Sequence, residues 1–268
     1  MILEQVLRGL ARERNLVLDL LEKDYALGWI LIGVSKSTLS DKIVFKGGTA
    51  LSKVHFPLDW RLSEDLDFTL KEGVDLADVS KKLTDELPSI VERISGGLTL
   101  NFKRAPFMND EFLRAKVQYT GPISKNTVKI EVSTESFIGP VDDISVQSTY
   151  DYPVFDILAY TKENILAEKM RAILERGKIR DYYDVWRMFK ANNTGIKKSK
   201  ELFHKKCLAK GVEFTGVDQF FPEDIVETLE PYLERGLTRL SSESLPSLDE
   251  MVGELKNDLE KVFKAQSH

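Results

Sequence analysis

Phe45-Lys46-Gly47-Gly48-Thr49-Ala50-Leu51-Ser52-Lys53, followed after a short spacer by Arg61-Leu62-Ser63-Glu64-Asp65-Leu66-Asp67-Phe68, sets the architecture of this 268-residue chain. Ile43-Val44-Phe45 reads as a short buried strand ending at Lys46. Thr49 is expected to cap a short helix, Ala50 to about His55, which Pro57 stops. Asp65 to Leu70 alternates apolar and polar residues and returns as a second strand. On that strand Asp65 and Asp67 leave the same face. Two carboxylates on one face repel each other unless a cation or a basic side chain compensates. Magnesium fits, because it takes hard oxygen ligands, typically one or two protein carboxylates plus substrate phosphates. At the strand-to-helix junction, backbone N–H groups bind phosphate, and the absent side chains of Gly47 and Gly48 let it approach. The stretch therefore suits a nucleoside triphosphate and a divalent metal.

Working outward, Arg61 and Ser63 are placed to contact a triphosphate. A buried ion pair between Arg61 and a carboxylate is an equally physical alternative. The glycine pair lacks the spacing of a P-loop and of a dinucleotide-binding turn. A third carboxylate is available at Glu131, within Lys129-Ile130-Glu131-Val132-Ser133. Ile130 and Val132 face the core on this pattern, which turns Glu131 to the other face with Lys129 and Ser133. From there it can act as a base toward an attacking hydroxyl or as a metal ligand.

The segments on either side complete an α+β plan. Residues 2–38 carry apolar residues at helical spacing and read as two helices. Residues 75–94 read as mostly helical, with a break or kink at Pro88 and an end at Gly96-Gly97. Leu98–Phe102, Phe112–Tyr119 and Val128–Ser133 read as strands, and Val154–Ala159 as a strand or a helix lead-in. A loop rich in Asp, Ser and Gly is expected from Glu135 to Tyr150. Beyond Thr161 the pattern is helical: Asn164–Glu175, a helix from near Ile179 through Phe189, then Lys200–Ala209, Glu223–Gly236 and Leu248–Ala265. This order predicts a strand-bearing domain over 1–158 and a helical domain over 159–268.

Composition excludes several classes. Hydrophobic residues at 42% and charged residues at 30% are those of an ordinary globular protein. The single Cys207 cannot form an internal disulfide. No apolar run approaches the ~20 residues that span a membrane, and the N-terminus lacks the basic-then-apolar layout of a signal peptide. Together these features predict a cytoplasmic protein. His55 and His204 lack a Cys or His partner at metal-ligand spacing and read as structural or exposed. The net charge of −5 conceals an asymmetry: residues 161–210 hold 14 Lys/Arg against 6 Asp/Glu, and residues 211–268 hold 5 against 13. The basic block either attracts a polyanion or is neutralised by the acidic segment.

Gly47-Gly-Thr-Ala-Leu, Arg61-Leu-Ser-Glu-Asp-Leu-Asp-Phe, Leu166-Ala-Glu-Lys-Met-Arg-Ala and Arg180-Asp-Tyr-Tyr-Asp-Val, in this order, resemble the AbiEii/AbiGii-type nucleotidyltransferase toxins of the DNA polymerase β-like nucleotidyltransferase superfamily. The resemblance covers most of residues 43–190. It implies a nucleotidyltransferase-like mixed sheet flanked by helices and followed by a helical half that completes the active site. It also implies a nucleoside triphosphate donor, Mg²⁺ (two ions during turnover, with Mn²⁺ as a substitute), and transfer of a nucleotidyl group to RNA, in particular a tRNA 3′ end. Carried onto this chain, it puts Gly47, Gly48 and Thr49 at the phosphates and makes Asp65 and Asp67 metal ligands. Lys169 would hold the triphosphate, and Asp181 would be the acid of the second half, with Arg180 and Asp184 beside it. Glu131 as third catalytic carboxylate rests on its strand context alone. Toxin–antitoxin or phage-defence systems are the implied setting, with a cognate antitoxin as a possible partner. A protein hydroxyl or small-molecule acceptor is the competing expectation, and a non-catalytic binding module is the expectation from another class.

Overall fold

The computed structural model describes residues 1–57, 60–147, 149–191 and 194–264. It divides into two compact units, residues 1–135 with 141–160, and residues 136–140 with 161–268.

The first unit is built on a mixed sheet of eight strands: β1 (Ile43–Lys46), β2 (Asp65–Leu70), β3 (Thr99–Asn101), β4 (Phe107–Met108), β5 (Phe112–Thr120), β6 (Lys125–Ser133), β7 (Val141–Val146) and β8 (Phe155–Tyr160). Their order is β3-β5-β6-β2-β1-β8-β7, with β4 added beside β5. β2 runs antiparallel to β1 and parallel to β6. Alternation gives the sheet two faces. Leu66 and Phe68 of β2, Val128, Ile130 and Val132 of β6, and Leu113, Ala115 and Val117 of β5 are all buried on one of them. Helix α1 (Glu4–Glu13) leads into α2 (Leu18–Ser35), which is apolar almost all round and buries fourteen of its residues. A helix of that kind belongs inside a core. Among the described residues, none is long and apolar enough to cross a membrane.

Two expectations are corrected in this unit, and one, the break at Pro88, is met. The short helix after β1, α3 (Gly47–Ala50), begins at Gly47 rather than at Ala50, and residues Leu51–His55 continue it with π-helical winding. Lys46 occupies the N-cap in extended conformation, and Thr49 does not cap: its hydroxyl donates to the Asp65 carbonyl oxygen. Residues 75–94 form two helices, α4 (Leu76–Asp85) and α5 (Leu87–Ser95), because Pro88 sits in the first turn of the second. The loop expected from Glu135 to Tyr150 contains β7, which pairs antiparallel with β8 from Val141↔Tyr160 to Val146↔Phe155. Most of its residues are open to solvent, so its composition resembles a loop while its backbone is satisfied by a neighbour.

The second unit is helical: α6 (Lys162–Arg176), α7 (Ile179–Lys190), α8 (Ile196–Lys210), α9 (Ile225–Gly236) and α10 (Leu248–Lys264). The expected end of the last helix at Ala265 lies outside the described residues. The Thr161 hydroxyl caps α6 by accepting from the Asn164 N–H, and Gly177 ends it in the left-handed conformation. Phe203, Phe214, Phe220 and Phe263 cluster with ring centroids 4.9–6.2 Å apart. Such aromatic packing stabilises through buried area and edge-to-face geometry together.

Candidate active site

Strand register assembles a charged face opposite the apolar one. Cross-strand partners share a face, so Lys46↔Asp67, Asp67↔Glu131 and Glu131↔Arg114 place Lys46, Asp67, Glu131 and Arg114 in one row across four strands. The next row holds Asp65, Lys129 and Lys116. Parallel pairing of β2 with β6 is what brings Glu131 beside Asp67 from 64 residues away in sequence. Glu64 points elsewhere and pairs with Lys23 at 3.6 Å.

The glycine turn closes on this face. Gly47 has φ +78°, and a Cβ placed on it would lie 2.7 Å from Asp67 Oδ2. Glycine is therefore required there twice over, for conformation and for contact. A Cβ on Gly48 would lie 2.9 Å from Arg61 Nη2 and 3.3 Å from Ser63 Oγ. Arg61 is buried, and its Nη1 donates to the Leu62 carbonyl (3.1 Å) and to Ser63 Oγ (3.3 Å). Gly47, Gly48, Thr49, Arg61, Ser63, Asp65, Asp67 and Glu131 thus share one end of the sheet.

The acids on this face are unequally balanced. Lys129 Nζ lies 3.4 Å from Asp65 Oδ2 and 4.0 Å from Glu131 Oε2, while Arg114 Nε donates to Glu131 Oε2 at 2.8 Å. Burial pushes the Asp67 carboxyl above the usual carboxylate range; Asp65 and Glu131 add to that, and Lys129 and Lys46 oppose it. A buried carboxyl flanked by two further acids favours an added cation. Among the described residues, no three His, Cys, Asp or Glu side chains gather closely enough to hold a metal by themselves. The carboxylate oxygens of Asp65 and Asp67, on one face of β2, are donors of the type a hard cation takes when ligand oxygens complete its shell.

Sequence reasoning missed several residues at this site. Lys46 is buried, lies 3.2 Å from Glu135, and sits 5.7 Å over the Tyr160 ring. Lys53, on the π-helical turn, is buried and bonded to Asp24 Oδ2 at 2.6 Å; Asp24 also accepts from the Tyr150 hydroxyl at 2.8 Å. Burial pushes the Lys53 ammonium down, and Asp24 more than reverses this. His55 meets the Tyr160 carbonyl at 2.7 Å. Residues 47–55 are thus tied to β2 by Thr49, to α2 by Lys53 and to β8 by His55. A cross-strand charge rule applied to Lys46 would have found one of these; the pairs separated by 29, 89 and 105 positions carry no sequence signal.

Within the helical unit, Lys169 on α6 lies 3.0 Å from Asp181 Oδ1 and 2.9 Å from Asp184 Oδ2, both on α7. Arg176 adds a two-point contact to Asp181 at 2.9 and 3.0 Å. Both acids are buried. Burial pushes Asp181 up, but Lys169 and Arg176 outweigh it and hold the carboxyl down at about 2. Arg180 donates to the Gly236 carbonyl at 2.8 Å.

Comparison with known proteins adds an independent line. A family model described as "Nucleotidyl transferase AbiEii toxin, Type IV TA system" matches residues 29–262. No curated protein sequence matches. Among solved structures, the chain is similar to MenT4, the nucleotidyltransferase toxin Rv2826c from Mycobacterium tuberculosis H37Rv. The TM-score is 0.68 at 16% identity, covering 100% of this chain and 91% of that one. It is also similar to JHP933 from Helicobacter pylori, with TM-score 0.55 and 20% identity over 93% and 94% of the two chains.

Proposed function

Because this chain belongs to the AbiEii nucleotidyltransferase toxin family, we propose that it moves a nucleoside monophosphate from a nucleoside triphosphate to an RNA 3′-hydroxyl, that of a tRNA. The single observation that carries the reading is the close fit of Gly47 against Asp67, a side-chain-free backbone held at a carboxylate that burial and two neighbouring acids push up. In the reaction the acceptor oxygen forms a bond to the α-phosphorus, the α–β bridging P–O bond breaks, and pyrophosphate leaves with that electron pair.

The residues divide the work. Gly47 and Gly48 admit the phosphates to the start of α3, and Thr49 fixes that turn to β2. Arg61 and Ser63, packed against Gly48, hold the phosphates at the turn. Asp65 and Asp67 hold Mg²⁺, which when bound supplies charge neutralisation at the phosphate oxygens. Glu131, oriented by Arg114, takes the proton of the attacking hydroxyl or adds to the metal ligands. Lys169, the expected triphosphate ligand, and Asp181, the expected acid of the second half, are bonded to each other within the helical unit, and exposed Lys197, Lys198 and Lys205 of α8 contribute phosphate contacts to the acceptor. The reaction belongs in the cytoplasm, where a cognate antitoxin opposes it.

Incubation with each labelled triphosphate, Mg²⁺ and total RNA tests this reading. The expected result is label in the acid-precipitable tRNA fraction. Label on a protein or a small molecule instead, or none on any species, overturns the RNA assignment.

A further inference from the structure

Lys129 is the basic side chain that reaches Asp65 on that face. It stands directly across from Asp65 in the parallel β2–β6 register, and its ammonium reaches Asp65 at 3.4 Å and Glu131 at 4.0 Å. Glu131 already has Arg114 at 2.8 Å, so it does not depend on Lys129 for charge balance. Lys129 also opposes Lys116 across the β5–β6 pairing, a like-charge neighbour that disfavours an ammonium directed back over that strand. The backbone thus directs one mobile positive charge toward the carboxylates. Lys129 and Asp65 side chains are about a third exposed, at 32% and 38%. A pair open to that degree is weak and exchangeable.

We propose that Lys129 is the resident counter-ion of this site: it occupies the place of the divalent cation at Asp65 while the metal is absent and is displaced when the metal enters. The proposal rests on reading Asp65 and Asp67 as metal ligands. Its consequence is a threshold. Metal entry must break the Lys129–Asp65 contact and move one positive charge away from an arriving double one, so the empty site resists dilute metal. A metal that arrives with a polyanionic triphosphate meets less resistance, because the displaced ammonium gains phosphate oxygens as new partners.

Mn²⁺ titration of the full chain, followed by the loss of the free-ion electron paramagnetic resonance signal, tests the proposal without relying on activity. Removal of a charge at this range is expected to tighten Mn²⁺ binding by about three- to tenfold in Lys129→Met, whereas Lys129→Arg, which keeps the charge, stays near wild type. Asp67→Asn is the arm that tests the underlying reading, with affinity falling at least roughly tenfold. Unchanged or weaker Mn²⁺ binding in Lys129→Met, alongside the expected loss in Asp67→Asn, overturns the counter-ion role and leaves the metal site standing. Wild-type affinity in Asp67→Asn overturns both. A second measurement reads Lys129 directly: acetylation of its amine by a lysine-specific reagent, quantified by mass spectrometry, rises several-fold on adding Mg²⁺ if the ammonium is released. An unchanged or slower rate contradicts displacement.

Discussion

Two clusters of opposite charges stand in this molecule, and they are built in opposite ways. On the sheet, Asp65, Asp67 and Glu131 face Lys129, Arg114 and Lys46, with Asp65 and Lys129 about a third exposed and Asp67 pushed up. In the helical unit, Lys169 and Arg176 enclose Asp181 so fully that its carboxyl is held down at about 2. The first cluster holds a carboxyl that burial and two neighbouring acids push up, beside a partly exposed pair, an arrangement that favours an added cation. The second is compensated and closed, as an element that fixes two helices to each other must be. Perturbed acidity in either direction marks a special carboxylate; the sign separates the one that awaits a ligand from the one already satisfied.

The sharpest way to break this comparison is Asp65→Asn or Asp67→Asn. Nucleotidyl transfer is expected to fall by roughly a thousandfold or more, with the thermal midpoint preserved or raised; activity near wild type in either variant removes the site from the sheet. Gly47→Ala comes next. A methyl group 2.7 Å from Asp67 Oδ2 at φ +78° displaces the acid or the turn, and transfer should drop by about a hundredfold, readable as a raised triphosphate dissociation constant.

Stability should respond in the reverse pattern. Asp181 has a folded pKa below its unfolded one, so its contribution is fully present above the unfolded value and disappears as pH falls through the folded value of about 2. Asp181→Asn is therefore expected to cost about 2 kcal/mol at neutral pH. The difference from wild type should shrink between pH 4 and 2 in urea melts. Asp67 has the opposite sign. Its raised carboxyl destabilises the metal-free fold once ionised, so Asp67→Asn should raise the metal-free midpoint at neutral pH by roughly 1–3 °C. That gain should vanish in acid, where the wild-type carboxyl is protonated. A loss of stability in Asp67→Asn at neutral pH would erase the contrast between the clusters.

Much of the first cluster was legible in the sequence, because spacing alone puts Asp65 with Asp67, and Lys129 with Glu131, on common faces of their strands. What spacing cannot give is which strand lies beside which. The parallel β2–β6 pairing that sets Glu131 against Asp67 is a property of the whole sheet. Thr49 was read as a cap because a hydroxyl before an apolar turn usually is one. The helix starts three residues earlier, since glycine at position 47 tolerates the positive φ that opens it, and the hydroxyl is left to hold β2. β7 was illegible for a different reason: Val141-Asp-Asp-Ile-Ser-Val is an exposed edge strand, and edges favour charged residues that also suit loops. The second cluster was read only as separate residues. Lys169 and Asp181 each carry a local signal, and their mutual contact depends on the turn at Gly177, where α6 ends in a left-handed residue.

The chain passes between its two units three times, because residues 136–140 belong with the helices while β7 and β8 return to the sheet. That excursion is bonded in place: Asn164, wholly buried, donates its side-chain amide to the carbonyls of Ile138 and Pro140, and Lys206 donates to Ile138 as well. The helical half is consequently not a transferable block. A recombination event that exchanged residues 161–268 as one piece would keep these bonds only if residues 138 and 140 held the same backbone path, at a cost of about 1–3 kcal/mol for each buried group otherwise left unsatisfied. An exchange of the helical half that preserves the fold must therefore take residues 136–140 with it or leave their backbone path unchanged.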